Sequence, residues 1–251
     1  MGKLQTAIGA SISAGEYLIK HYGKLYEVKN KESHRDVVTE IDKASEQIII
    51  DKILDFDDKS SILTEESGQI GQDSVDKWIV DALDGTVNYI HNIPFFSVSI
   101  SYWSNNKPQI GVIYNPYSQE LFYAEKGLGS YCNQVRLVVN KSNIKNSITA
   151  MAFSGKAHKP DCRHKEFEVF GSLNDASQGC LRTGSAAMNL AYLASGKFSF
   201  VTGKANKLWD VAAGLIIAEE AGADVKFKAC DTKNFLVDYK CSTLSCSIEE
   251  I

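Results

Sequence analysis

Four runs rich in β-branched and aromatic residues, FSVSISYW, QIGVIYNP, ELFYAEKG and SYCNQVRLVV, succeed one another between residues 96 and 139, with only Asn, Pro and Gly turn signals between them. Strands this closely spaced leave no room for crossover helices, so they predict an antiparallel meander. Just upstream, SSILTEES and KWIVDAL are two further short apolar runs, each leading into acidic residues. Beyond residue 150 the pattern alternates. Strand ITAMAFSG is followed by a helix from Asp161 to Phe170 and another from Ser185 to Ala194. Strand FSFVTG, a helix from Leu208 to Ala221, strand ADVKFK and a last strand around Ser242 complete the chain.

Ahead of the strands, Leu4, Ile8, Ile12, Leu18 and Ile19 recur at helical spacing and predict an amphipathic helix ending near Gly23. Thr39 opens a second helix, with Asp42 three residues on, close to a capping box. Ile41, Ala44, Ile48 and Ile49 give that helix its apolar face. The Lys- and Glu-rich segment from Glu27 to Arg35 reads as a solvated loop. A strand-rich half (about 1–150) and a mixed half (about 151–251), with no linker composition between them, predict one α+β or layered α/β/α domain over 1–251.

The chain has 251 residues, 44% of them hydrophobic, enough for one continuous core. Its net charge of -4 argues against general affinity for nucleic acid or an anionic membrane. No apolar run approaches the roughly 18–20 residues that cross a bilayer. The N-terminal stretch is too interrupted by polar residues to form a signal-peptide core. The six cysteines are scattered without a CxxC, which predicts reduced thiols and a cytoplasmic setting rather than a disulfide framework or zinc site.

The chemistry concentrates in WIVDALDGTVNY, residues 78–89. An apolar strand delivers Asp81, and Asp84 follows three residues later. Two carboxylates at a strand mouth suit hard cations such as Mg²⁺, which take oxygen ligands. Gly85 lets the backbone approach closely, so that the amides of Gly85 and Thr86 can face a phosphate. Taken alone, this motif also reads as a plain strand-end turn. It is accompanied by Glu65 and Glu66 at the end of the preceding strand, Asp42 beside Thr39, and Asp210 at the start of VAAGLIIAEEAG. Each has a bland reading, as a solvated strand end, a cap partner or a helix-terminal acid. Together they do not. Like charges about 4 Å apart cost roughly 4 kcal/mol per pair at an effective dielectric near 20, so a converging set needs bound cations.

With these residues in view, the chain resembles the inositol monophosphatase family of metal-dependent sugar and cyclitol phosphatases. The landmarks, in order, are VVTEIDKASE, LTEESG, WIVDALDGTVNYIHNIPFFSVSI, RTGSAAMNLAYLASG and LWDVAAGLIIAEEAG. The resemblance implies a layered αβαβα sandwich, a homodimer, two or three Mg²⁺ per site and sensitivity to Li⁺. It implies Glu65, Asp81, Asp84, Asp210 and the Leu83 carbonyl as metal ligands. Asp42 and Thr86 match the pair that activates the attacking water. Asp84, Gly85 and Thr86 match the phosphate side, while Gly184, Ser185 and Ala186 match the rim that touches the alcohol. Lys31 matches a mobile loop over a weaker metal position. The implied reaction is metal-assisted in-line hydrolysis of a small phosphate monoester, inositol monophosphate or a related sugar phosphate.

Two departures matter. Ala82 stands where the family usually has Pro. In FVTGKANKLWD, Thr202, Gly203 and Lys204 occupy the region where many inositol-hydrolysing members place a hydroxyl-binding Glu. Lys204 and Lys207 there would suit an anionic substrate. Fructose 1,6-bisphosphatase, histidinol phosphatase and 3'(2'),5'-bisphosphate nucleotidase activities are therefore alternatives. So is a weakly catalytic member acting as a regulatory or RNA-associated partner. No specific nucleic-acid binding and no membrane attachment are expected.

Overall fold

The computed structural model describes residues 2–24, 28–33, 36–154 and 160–245. It opens with α1 (Lys3–His21), then a hairpin of β1 (Val28–Ser33) and β2 (Asp36–Thr39), which runs into α2 (Glu40–Phe56). Lys31 therefore lies in a strand, not in the solvated loop expected of this segment; its side chain falls outside the described residues. Successive antiparallel pairs, Val28 with Thr39 and Lys29 with Val38, supply the backbone partners that a free loop lacks.

Eight strands follow as one sheet. They are β3 (Ile62–Thr64), β4 (Gln69–Ile70), β5 (Lys77–Asp84), β6 (Ser97–Ser104), β7 (Lys107–Asn115), β8 (Glu120–Glu125), β9 (Gly129–Cys132) and β10 (Val135–Leu137). Their spatial order is β10-β9-β8-β7-β6-β5-β3-β4. From β6 to β10 the predicted meander is present, each strand antiparallel to the next, and β5 extends it by pairing antiparallel with β6. β3 and β5 instead pair parallel. The run SYCNQVRLVV is two strands, because Asn133 and Gln134 both take positive φ (46° and 70°) and turn the chain back. Between β5 and β6 sits the short α3 (Thr86–Ile90).

The second sheet holds β11 (Ile148–Ala152), β12 (Gly179–Leu181), β13 (Phe200–Lys207), β14 (Asp224–Asp231) and β15 (Leu236–Ser242), in the order β12-β11-β13-β15-β14. Its helices are α4 (Pro160–Ala176), α5 (Ala186–Ala194) and α6 (Leu208–Glu220). α4 extends beyond the predicted Phe170, and β12 had no sequence signal of its own.

Helices α1 and α2 pack on one face of the large sheet, α5 and α6 lie between the two sheets, and α4 covers β11 and β12. The result is the expected αβαβα sandwich. α6 is buried from Val211 to Ala218, as a helix with a sheet on either side must be. The close approach is made by Gly111 of β7, where a Cβ would lie 2.4 Å from the Ala213 carbonyl oxygen.

The buried stripe of α1 is Ala7, Ala10, Ser11, Ala14 and Leu18 rather than its larger isoleucines; Ile19 is exposed. On α2 the buried face includes Asp42, Ser45 and Glu46 beside Ile41, Ile49, Ile50 and Ile53. Among the described residues, no helix is long and apolar enough to cross a membrane. Cys132, Cys180, Cys230 and Cys241 are free; the side chain of Cys162 and all of Cys246 lie outside the described residues.

Candidate metal centre

Three elements meet at one place. β3 runs into Glu65, β5 carries Asp81, and the first turn of α6 carries Asp210. One carboxylate oxygen from each lies within 4.8 Å of the other two. Asp81 is buried, while Glu65 and Asp210 are partly buried.

Burial, followed by the charges of Glu65, Asp84 and Asp210, holds the Asp81 carboxyl well above the usual carboxylate range. Burial and the charges of Glu65 and Asp84 do the same to Asp210, against a weaker opposing pull from the Lys207 amide and charge. A hard divalent cation fits this donor set, since it supplies the positive charge that three converging oxygens otherwise lack.

Asp84, expected in the same ligand set, faces another partner. Its carboxylate accepts from the Ser185 hydroxyl and from the amides of Ala187 (3.0 Å) and Ala186 (3.3 Å), at the start of α5. Helix N-termini favour an anion in this position. Burial raises its pKa to about 6, with those hydrogen bonds acting in the opposite direction. Ser185 and Ala186 accordingly aim their polar groups at Asp84, and of the three predicted rim residues only Gly184 is exposed. Leu83 donates its amide to Asp81 Oδ1 at 3.0 Å. Its carbonyl accepts from Thr86 Oγ1 at 3.1 Å.

Thr86 and Asp42 are joined, Thr86 Oγ1 donating to Asp42 Oδ1 at 2.9 Å. The other oxygen of Asp42 accepts from the amide of Thr39 at 2.8 Å and its hydroxyl at 2.5 Å, which completes the capping box of α2. Burial still raises the Asp42 pKa despite these donors. Gly85 makes the turn between Asp84 and Thr86 with φ 97°, and a Cβ there would sit 3.1 Å from the Phe95 carbonyl oxygen. No other residue fits this turn without strain.

In the segment before Asp210, Lys204 is exposed in the bulge of β13 against β15. Lys207 Nζ donates to the Asn234 carbonyl (3.2 Å) and lies 5.3 Å from the centre of the Trp209 ring. The Asn206 amide fills the room beside Gly203, where a Cβ would be only 2.1 Å from its Oδ1.

Sequence reasoning missed two residues that shape the site. Asn88, on α3, donates to the Phe95 carbonyl (2.7 Å) and the Thr183 carbonyl (2.9 Å), tying α3 to the segments that lead into β6 and α5. Glu46 binds the turn that carries Glu65. Helical periodicity left it off the predicted apolar face of Ile41, Ala44, Ile48 and Ile49, and its one signal was its place at the end of VVTEIDKASE.

The model of the inositol monophosphatase family matches residues 3–241 of this chain. A protein of Haemophilus influenzae named Nus factor SuhB is 40% identical over 222 residues, 87% of this chain and 82% of that one. A Thermotoga maritima protein named fructose-1,6-bisphosphatase/inositol-1-monophosphatase is 33% identical over 232 residues, 90% of this chain and 84% of its own. The crystal structure of extragenic suppressor protein suhB from Bartonella henselae superposes with a TM-score of 0.83 at 33% identity, covering 94% of this chain and 92% of the other. The chain therefore belongs to the inositol monophosphatase family.

Proposed function

We propose that this protein is a Mg²⁺-dependent phosphatase that hydrolyses a small phosphate monoester, with Glu65, Asp81 and Asp210 as the core of its cation site. The observation that carries the reading is the convergence of these three carboxylates from three separate elements, beside a hydrogen-bonded Thr86–Asp42 pair. Divalent cations held there supply Lewis acidity to the phosphate and to the attacking water.

The chain's own groups divide the remaining work. Thr86 Oγ1 donates its hydrogen bond to Asp42 Oδ1, so the hydroxyl's lone pairs are left to accept a hydrogen bond from water. As the water attacks, its proton passes to Thr86 Oγ1 while the Thr86 proton moves to Asp42 Oδ1. The raised pKa of Asp42 brings that carboxylate closer to the range of a working base. The backbone at Gly85 and Thr86 receives the phosphate. Asp84 completes the acidic surround and fixes α5 against it.

The substrate we favour is a sugar or cyclitol phosphate that carries further negative charge. No carboxylate stands at Gly203, Lys204 is exposed nearby in sequence to Asp210, and an ammonium there suits a second phosphate. The name of the Thermotoga maritima relative, which joins bisphosphatase and monophosphatase activities, supports the same choice.

The test is phosphate release from inositol 1-phosphate and fructose 1,6-bisphosphate, with Mg²⁺ and with EDTA, by wild type and Lys204→Ala. Release that stops in EDTA and returns with Mg²⁺ is expected. The kcat/KM for the bisphosphate should equal or exceed that for inositol 1-phosphate and fall in the variant. Hydrolysis indifferent to EDTA overturns the metal reading. A strong preference for inositol 1-phosphate, untouched by the substitution, overturns the specificity reading.

A further inference from the structure

We infer that Glu46 is a positioning residue for the cation site: its carboxylate fixes the turn that carries Glu65 and thereby sets how tightly the site holds a divalent cation. This deepens the phosphatase reading and rests on it.

Glu46 is 1% exposed, rare for a charged side chain unless its oxygens are fully engaged. Here each oxygen takes one amide from the turn after β3. Oε2 accepts from Glu66 N at 2.9 Å and Oε1 from Ser67 N at 3.0 Å. The Ser67 amide also reaches Thr64 Oγ1 at 3.2 Å, so both ends of the turn are held. Hydrogen bonds to an ionised acceptor are among the stronger ones, and two from adjacent residues fix orientation as well as position.

The placement on α2 gives the contact its meaning. Residues 42, 45 and 46 share one helical face. Asp42 accepts from Thr86, and Ser45 Oγ donates to the Ala82 carbonyl at 3.1 Å, one residue past Asp81. Glu46 holds the turn next to Glu65. A single helix therefore ties β5 and the turn that follows it to the turn after β3, two of the three elements that carry the acids of the centre. Groups that orient metal ligands commonly account for about 10–100-fold in affinity.

The experiment measures Mn²⁺ binding by electron paramagnetic resonance on wild type, Glu46→Gln and Glu46→Asp, with circular dichroism of the metal-free proteins and phosphate release at saturating Mg²⁺. Glutamine keeps the volume but turns an NH₂ donor toward an amide. Its Kd for Mn²⁺ should rise about 10–100-fold, with kcat at saturating Mg²⁺ held within about threefold. Glu46→Asp keeps both acceptors on a shorter arm and should recover part of the loss. Should the Glu46 variants not fold, the near-isosteric Thr64→Val loosens the same turn and is expected to weaken Mn²⁺ in the same direction.

A folded Glu46→Gln that binds Mn²⁺ as wild type does, or loses kcat with affinity intact, overturns the inference, as does an unaffected Thr64→Val where only that variant folds. Wild type that binds no Mn²⁺ overturns it together with the cation site. Wild type that binds Mn²⁺, weakened in Glu46→Gln, but releases no phosphate overturns the phosphatase reading alone.

Discussion

Asp210→Asn is expected to lower kcat at saturating Mg²⁺ at least about 100-fold, a loss of roughly 2.7 kcal/mol of transition-state stabilisation. The metal-free variant should nevertheless be more heat-stable than metal-free wild type. Asp210 is partly buried beside Glu65 and Asp84, and its pKa is raised by burial and by their charge. A carboxyl raised in the folded state binds its proton more tightly there than in the unfolded chain. Its contribution favours folding at low pH and is lost as pH rises through the folded pKa. At neutral pH and above, the metal-free fold carries the cost of the ionised group, and the amide removes it. For a chain of this size, one or two kcal/mol corresponds to a rise in Tm of roughly 2–8 °C. The gain should shrink as the pH falls toward the ordinary carboxylate range, where the aspartate is protonated in both states. Mg²⁺ should raise the Tm of wild type more than that of the variant. Melting curves with and without Mg²⁺ at several pH values check this. Near wild-type turnover, or a variant less stable without metal at pH 8, would count against Asp210 as a ligand.

Thr86→Ala should act on chemistry instead of binding. The hydroxyl sits between Asp42 Oδ1 at 2.9 Å and the Leu83 carbonyl at 3.1 Å, and nothing else links Asp42 to the centre among the described hydrogen bonds. Removing it breaks the proton path and leaves one oxygen of a buried carboxylate short of a donor. General-base assistance of this kind is worth about 10²–10⁴-fold, and kcat should fall within that range while KM changes little. The lost partner should also cost about 1–3 kcal/mol of stability. Thr86→Ser restores a hydroxyl and should recover most of the rate. Steady-state kinetics on the pair separate the cases: a raised KM with unchanged kcat contradicts the role given to Thr86.

How far the fold could be read from the sequence depended on where its signals were local. The meander from β6 to β10 was legible because turn formers punctuate closely spaced runs of β-branched and aromatic residues. Asn133 and Gln134 were passed over, although their left-handed backbone splits one predicted strand in two. The parallel pairing of β3 with β5 had no local signature, since it depends on which edge the chain returns to. On α1 hydrophobic periodicity found Leu18 and the core-packed Leu4 and Ile8 but missed Ala7, Ala10 and Ala14, which close packing on the sheet puts at the centre of the buried stripe. On α2 the same logic discounted Asp42, Ser45 and Glu46, because it expects apolar residues at buried positions. Those three are buried for their hydrogen bonds. The acids Glu65, Asp81 and Asp210 were recognisable by type, Glu65 and Asp210 also by their position at element ends, whereas Asp81 lies within β5. That their oxygens meet, and that Asp84 turns toward α5, are consequences of tertiary packing.

The central claim is that Glu65, Asp81 and Asp210 jointly hold a divalent cation. Its most direct test is an anomalous difference map from crystals soaked in Mn²⁺, collected at the manganese edge. The account predicts a peak within about 2.0–2.6 Å of one carboxylate oxygen from each of the three residues. A map with no peak at this centre, or with manganese bound elsewhere while these carboxylates stay unligated, would contradict it.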